Sequence, residues 1–284
     1  MTTTGVEAQG DSRGGVISGD GEWVVFESDG RLDGADDDKY SDVYLYEVAS
    51  GSLSLVSQAL DGSPANGASM NPRLSSDGGF IVFQSEASNL VSFDENGKED
   101  IFLYDRAKDS LELVSLNIGG SQAGGDSYRP SVSDDGDRIV FESDATDLIG
   151  AFNDSNSKRD VFIRLRSSAS TSRLSVDSDG VQSNGDSYNA RISRDGELVV
   201  FESLADTLQA FDDNGERDVF SRDIDGAITT LLSDDDEGEE GNGASRWPCL
   251  SADAAYVCYT SEASDILDCC DDNGVDDVIV RQLR

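Results

Sequence analysis

Histidine is absent from the 284 residues, lysine occurs only as Lys39, Lys98, Lys108 and Lys158, and there are just two methionines, two tryptophans and four prolines. Without an imidazole there is no Ser-His-Asp or Cys-His nucleophile and no histidine metal ligand. No apolar run approaches the 18 or so residues of a membrane-crossing helix. The opening MTTTGVEAQGDS has neither a basic nor an apolar region and is not a signal peptide. Basic residues are also scarce, 21 against 58 acids, for a net charge of −37. Such a surface repels phosphate backbones and anionic lipid, so nucleic acid and membrane are excluded as partners. Cysteine is confined to Cys249, Cys258, Cys269 and Cys270, without the CxxC spacing of a structural zinc site.

What is present is repetition. Serines ending five glycine-rich loops, Ser12, Ser69, Ser127, Ser187 and Ser245, stand 57, 58, 60 and 58 residues apart. After each comes an S-x-D-G turn (SGDGEW, SSDGGF, SDDGDR, SRDGEL), which in the fifth copy, SADAAY, has lost its glycine. An apolar strand follows (WVVFES, FIVFQS, RIVFES, LVVFES, YVCYTS), then an acidic loop, then a second strand (VYLYE, IFLYD, VFIRL, VFSRD, VIVRQ). Four copies add a third (LSLVS, LELVS, SRLSV, ITTLL). With the inner strands NPRLS, RPSVS, NARIS and WPCLS, each unit reads as four short antiparallel strands. Fivefold radial repetition predicts an all-β, five-bladed β-propeller, one domain over residues 1–284 with repeats at 12–68, 69–126, 127–186, 187–244 and 245–284. The chain opens after an outer strand and stops before one, so the closing blade is expected to lack its outermost strand or to borrow one from a neighbouring molecule.

The S-x-D-G-x-x-[IV]-x-F-x-S signature resembles the TolB-like (WD-repeat-like) propeller repeats of bacterial envelope proteins, in the subgroup whose loops read D-x-N-G-x-x-D. The resemblance covers all five units. It implies a propeller and an exported, periplasmic or secreted protein whose signal peptide is not part of this sequence, and it says little about function.

The acidic loops carry the chemistry. They follow D-x-[DN]-x-x-x-D: Asp36/Asp38/Asp42, Asp94/Asn96/Asp100, Asp154/Asn156/Asp160, Asp212/Asn214/Asp218 and Asp271/Asn273/Asp277. Oxygens at positions 1, 3 and 7, with the carbonyl at position 5, can converge on one calcium, a contracted relative of the EF-hand loop. Gly97, Gly215 and Gly274 at position 4 permit the left-handed turn this needs. The copies beginning at Asp94, Asp212 and Asp271 are the best candidates, and the first, with Lys39 at position 4, the weakest. The competing reading is that these side chains shape Asx-turns with no metal. Acid excess with little lysine also fits a salt-adapted surface.

The glycine-rich and acidic loops should share one rim. Arg13, Tyr128, Arg129, Tyr188, Arg246 and Trp247 vary there within a regular repeat and are candidate anchors for a protein or carbohydrate ligand. Against that, the tyrosines can pack between blades and the arginines balance acid. The inner strands hold no Asp or Glu, and the carboxylates recur symmetrically, which disfavours a glycosidase-like carboxylate pair. A hairpin register set by Ser251 and Tyr256 opposes Cys249 to Cys258, a cross-strand disulfide if that is a non-hydrogen-bonded pair. The sequence reads as a non-catalytic, calcium-binding scaffold. An ion-free interaction propeller and a glycosidase-like enzyme are the alternatives.

Overall fold

The computed structural model describes residues 10–32, 34, 36, 39–150, 153–210, 212, 214–235, 237–267 and 274–283. Blade one holds β1 (Ser12–Ile17), β2 (Trp23–Ser28), β3 (Asp42–Glu47) and β4 (Leu53–Leu55). Blade two holds β5 (Ser69–Leu74), β6 (Phe80–Ser85), β7 (Asp100–Asp105) and β8 (Ser110–Leu113). Blade three holds β9 (Ser127–Val132), β10 (Arg138–Ser143), β11 (Asp160–Leu165) and β12 (Ser170–Arg173). Blade four holds β13 (Ser187–Ile192), β14 (Leu198–Ser203), β15 (Asp218–Asp223) and β16 (Ile228–Leu231). Blade five holds β17 (Ser245–Leu250), β18 (Tyr256–Ser261) and β19 (Asp277–Gln282). The sheets contain four, four, four, four and three antiparallel strands in meander order, so the chain is a five-bladed all-β propeller whose last blade has three strands among the described residues. The outer strands stop earlier than the sequence suggests, ending before Val56, Val114, Leu174 and Leu232, and those of blades two and three also start earlier. At those residues the chain turns inward, each N–H bonding the carbonyl of Val43, Ile101, Val161 or Val219 at 2.8 Å.

The repeated motifs have local causes. In each S-x-D-G turn the aspartate accepts the serine hydroxyl and a backbone N–H, as Asp77 does from Ser75 (2.7 Å) and Gly79 (2.8 Å). The glycine is left-handed, Gly78 at φ 63° for example. The fifth copy keeps that conformation with Ala254 at φ 54°, at a cost of about 1–2 kcal/mol.

Four apolar clusters form the core, each shared by successive blades, such as Val82, Ile101 and Leu103 of blade two against Ile139, Phe141 and Phe162 of blade three. Polar latches reinforce these junctions. The inner strands bulge where Asn71, Arg129, Asn189 and Trp247 take φ of 52°, 48°, 51° and 57°. Each bulge aims its N–H at the preceding blade, where Glu27 (2.6 Å), Gln84 (2.8 Å), Glu142 (2.6 Å) and Glu202 (2.8 Å) accept it. Glu202 also accepts from Asn189 Nδ2 and Arg217. Glu202→Ala is therefore expected to destabilise the fold by about 1–3 kcal/mol, since a strained N–H loses its acceptor, with chemical denaturation as the measurement.

The fifth blade departs from this scheme. Thr260 occupies the latch position and Gly14 the receiving bulge of β1. Val278 and Val280 are 72% and 66% exposed, whereas Val219 at the matching site of blade four is fully buried. Cys249 and Cys258 are Cα partners as the sequence predicts. The expected disulfide between them is corrected, because both thiols are free. The Ser251 N–H bonds the Tyr256 carbonyl at 2.9 Å, so by alternation Cys249–Cys258 is a hydrogen-bonded pair, the wider and less suitable kind. Cys269 and Cys270 lie outside the described residues.

Candidate metal centre

The entry to each inner strand lies against the preceding acidic loop: the N–H groups of Ser69, Ser127, Ser187 and Ser245 bond Ser41, Glu99, Arg159 and Arg217 carbonyls at 2.6–2.8 Å. Glycine-rich and acidic loops thus share one rim, as expected. Position 7 of the acidic loop begins the next strand. Its carboxylate, Asp42, Asp100, Asp160 or Asp218, is fully buried and accepts a hydroxyl from Ser57, Ser115, Ser175 or Ser233 at 2.5–2.6 Å. Position 1, where described, is buried beside it: Asp36, Asp94, Asp154 and Asp212. Asp38, Asp271 and Asn273 lie outside the described residues. Asp277 opens β19 and is half-buried.

Position 3 is engaged within the loop. The amide oxygens of Asn96, Asn156 and Asn214 accept the N–H of Lys98 (2.9 Å), Lys158 (2.9 Å) and Glu216 (2.5 Å). Their amide nitrogens tie down the carbonyls of Ala123, Ser183 and Gly241 in the following glycine-rich loop. These asparagines are Asx-turn formers and clamps, because a left-handed residue follows: Gly97 at φ 65°, Ser157 at 56° and Gly215 at 71°.

A paired acid site remains in each of four blades, and the four are satisfied differently. In blade one, Tyr44 replaces the phenylalanine of blades two to four and donates its hydroxyl to Asp36 at 2.5 Å. In blade two, Gln122 donates to Asp94 Oδ1 at 3.1 Å and Asn96 to Asp100 at 2.7 Å, while Asp94 Oδ2 is buried without a hydrogen-bond partner. Burial pushes Asp100 up to about 6. In blade three the protein supplies its own cation: Arg173, its side chain 3% exposed, reaches Asp154 and Asp160 at 3.2 Å each. In blade four, Glu240 stands where Gln122 and Gln182 stand in the two preceding copies. Asp212, Asp218 and Glu240 offer oxygens within 4.8 Å of one another, the one such metal-competent cluster among the described residues. Asp218 Oδ2 is buried with no hydrogen-bond partner. Burial first, then Asp218 and Glu240, hold Asp212 well above the usual carboxylate range. Burial also raises Asp218 to about 6, with the Ser233 hydrogen bond opposing and Glu240 adding. Oxygen-only donors around an uncompensated charge suit a hard divalent cation.

Three contributors escaped the sequence reading: the serines beside position 7, Glu240, and Arg173. The V-S or L-S pair closing each outer strand was a usable signal for the serines. Arg173 was visible only as the one charge at a position that is Leu55, Leu113 and Leu231 elsewhere.

The rim anchors are largely engaged by other side chains of the rim. The Arg159 guanidinium lies 4.1 Å from the Tyr128 ring and 5.8 Å from Tyr188, with Arg217 at 4.7 Å from Tyr188. Arg13 pairs with Glu27 and Asp29, Arg129 faces Glu142 at 3.6 Å, and Arg246 pairs with Glu262. Trp247 is 60% exposed, and Arg13 and Arg129 are exposed as well.

No protein-family model and no curated protein sequence matches the chain. Solved structures do. A TolB-type protein of Agrobacterium tumefaciens superposes with a TM-score of 0.56 at 17% identity, over 96% of this chain and 82% of that one. A prolyl endopeptidase gives 0.55 at 11% (89% and 32%), and the tricorn protease 0.52 at 12% (96% and 25%). The chain spans about a third and a quarter of the length of these two peptidases. At these identities the likeness is one of fold: a TolB-like β-propeller, an architecture that both peptidases also contain and that does not itself assign an activity.

Proposed function

We propose that this chain is a non-catalytic, calcium-binding propeller that serves as an extracytoplasmic binding or scaffold module, with its principal ion site at Asp212, Asp218 and Glu240. The carrying observation is the unpartnered oxygen of the fully buried Asp218, met by two further carboxylates and, among the described residues, no protein cation. Blade three supports the same reading, since an arginine occupies the corresponding acid pair there. Three carboxylates with the remaining positions left to water or carbonyls suit the weak affinities of extracellular calcium modules, about 10⁻⁴–10⁻³ M. The TolB-like fold fits a location outside the cytoplasm.

Calorimetric titration of chelator-treated protein with calcium is the test. Saturable heat is expected, and Asp212→Asn should weaken the strongest site by about tenfold or more. Absence of heat at millimolar calcium sinks the ion reading. A hydrolysis screen against oligosaccharides and peptides is expected to show no turnover; turnover abolished by a single carboxamide substitution would replace the scaffold reading with an enzyme.

A further inference from the structure

The five inner strands β1, β5, β9, β13 and β17 contain Arg13, Arg73, Arg129, Arg191 and Arg246 and not one aspartate or glutamate. The chain as a whole carries 58 acids against 21 bases, so its axis is charged oppositely to its exterior. Arg13, Arg129 and Arg246 are neutralised at the rim by the carboxylates described above. Arg73 and Arg191 make no ion pair among the described residues. They share one position of the inner strand with Val16, Ser131 and Cys249. Val16, Arg73 and Ser131 line a cavity of about 240 Å³ on the axis, to which all five blades contribute.

Each guanidinium is tethered by one nitrogen to its neighbour's carbonyl, Arg73 to Pro72 at 2.9 Å and Arg191 to Ala190 at 2.8 Å. Burial, then the charge of Arg73, lowers Arg191 to about 10, and burial lowers Arg73 as well. The nearby carboxylates are committed elsewhere: Glu27 to Arg13 and the Asn71 N–H, Glu142 to the Asn189 N–H and Arg129. Ser131 accepts the Ile192 N–H and keeps its own hydroxyl proton for an acceptor. Arg194 adds a further guanidinium at the cavity's mouth, where Asp134 is occupied by the Ser76 N–H and hydroxyl.

We propose that the axial channel is a receptor for a small oxyanion, held between Arg73 and Arg191 with Ser131 as an additional donor. Arg73 lines the cavity and Arg191 takes the same strand position two blades on, so their like charges repel, and an anion carrying two charges removes that repulsion while accepting charge-assisted hydrogen bonds from both forks. The acidic exterior discourages large polyanions from approaching, so the ligand is compact: an inorganic oxyanion or the exposed phosphoryl or sulfonyl end of a small molecule.

Orthophosphate and sulfate are titrated into chelator-treated protein at constant ionic strength with chloride as the balancing salt, read by calorimetry and by melting temperature. Saturable binding of one anion per chain is expected. Arg73→Gln and Arg191→Gln should each weaken it by about tenfold, while Arg106→Gln, stacked on Trp23 outside the channel, leaves it unchanged. A selenate soak of wild-type crystals gives a readout independent of variant folding: anomalous density is expected between Arg73 and Arg191. No binding at about 10 mM phosphate or sulfate overturns the proposal. Unchanged affinity in the double variant, or selenate found only on the outer surface, overturns it equally.

Discussion

Arg173→Leu is expected to cost the ion-free protein about 3–5 kcal/mol and, in the same stroke, to create a calcium site in blade three. The side chain is almost wholly enclosed. It ion-pairs with Asp154 and Asp160, donates to the Asn153 carbonyl at 3.1 Å, and lies 5.8 Å from the Phe162 ring. Leucine fits the position sterically, since Leu113 and Leu231 occupy it in blades two and four. What is lost is the charge that lets two buried carboxylates coexist. Urea unfolding in chelator should show the full loss, and millimolar calcium should restore much of it in the variant but add nothing at blade three of the wild type. Equal stability of the variant in chelator and in calcium would overturn the equivalence of guanidinium and metal. The reciprocal change, Leu231→Arg, should abolish the blade-four site by filling it with a guanidinium.

The second large effect is on pH. Asp218 is raised to about 6, Asp212 is held high by burial and its acidic neighbours, and Asp100 is raised to about 6. Carboxyls whose pKa is higher in the folded than in the unfolded chain contribute stability that is complete below the unfolded value of about 4, and that contribution is lost as pH rises through the folded value. For Asp218 alone the swing approaches about 3 kcal/mol. Chelator-treated protein is therefore expected to melt higher at pH 5 than at pH 8. Calcium replaces the protons, so its stabilisation should be largest at pH 8 and fade towards pH 5. At a hundredfold excess over Kd that gain is about 2.7 kcal/mol, or roughly 5–10 °C. Glu142, pushed up to about 7 by burial, contributes in the same direction but lies at a blade junction and should not respond to calcium. Below pH 4 the trend should reverse, because Asp77, Asp105 and Asp135 are held low by hydrogen bonds and neighbouring cations that outweigh their burial. A calcium increment that grows on acidification would contradict the whole scheme.

Much of the fold was written in short-range chemistry. Each S-x-D-G turn closes within its own few residues, each hairpin takes its register from that turn, and the alternation in WVVFES or LVVFES assigns one face to each neighbouring blade. The three-stranded fifth blade followed from counting strands. The acid pairs of the loops were legible for the same reason, since positions 1 and 7 are held together by one local turn.

What those pairs hold was decided by contacts distant in sequence. Asp154 and Asp160 look in the sequence like Asp212 and Asp218. An outer-strand arginine folds back onto the first pair, and Glu240 from the following loop closes on the second. The axis behaves likewise: Arg73 and Arg191 stand 118 positions apart in the chain and take the same place on two inner strands that turn about a common centre. Sequence by itself therefore determined the strands, the turns and the repeat, whose interactions are local and recur in every copy. Tertiary structure alone decided where charge is left uncompensated, because that depends on which side chains from different loops and blades are buried together, and a buried charge cannot be offset by solvent.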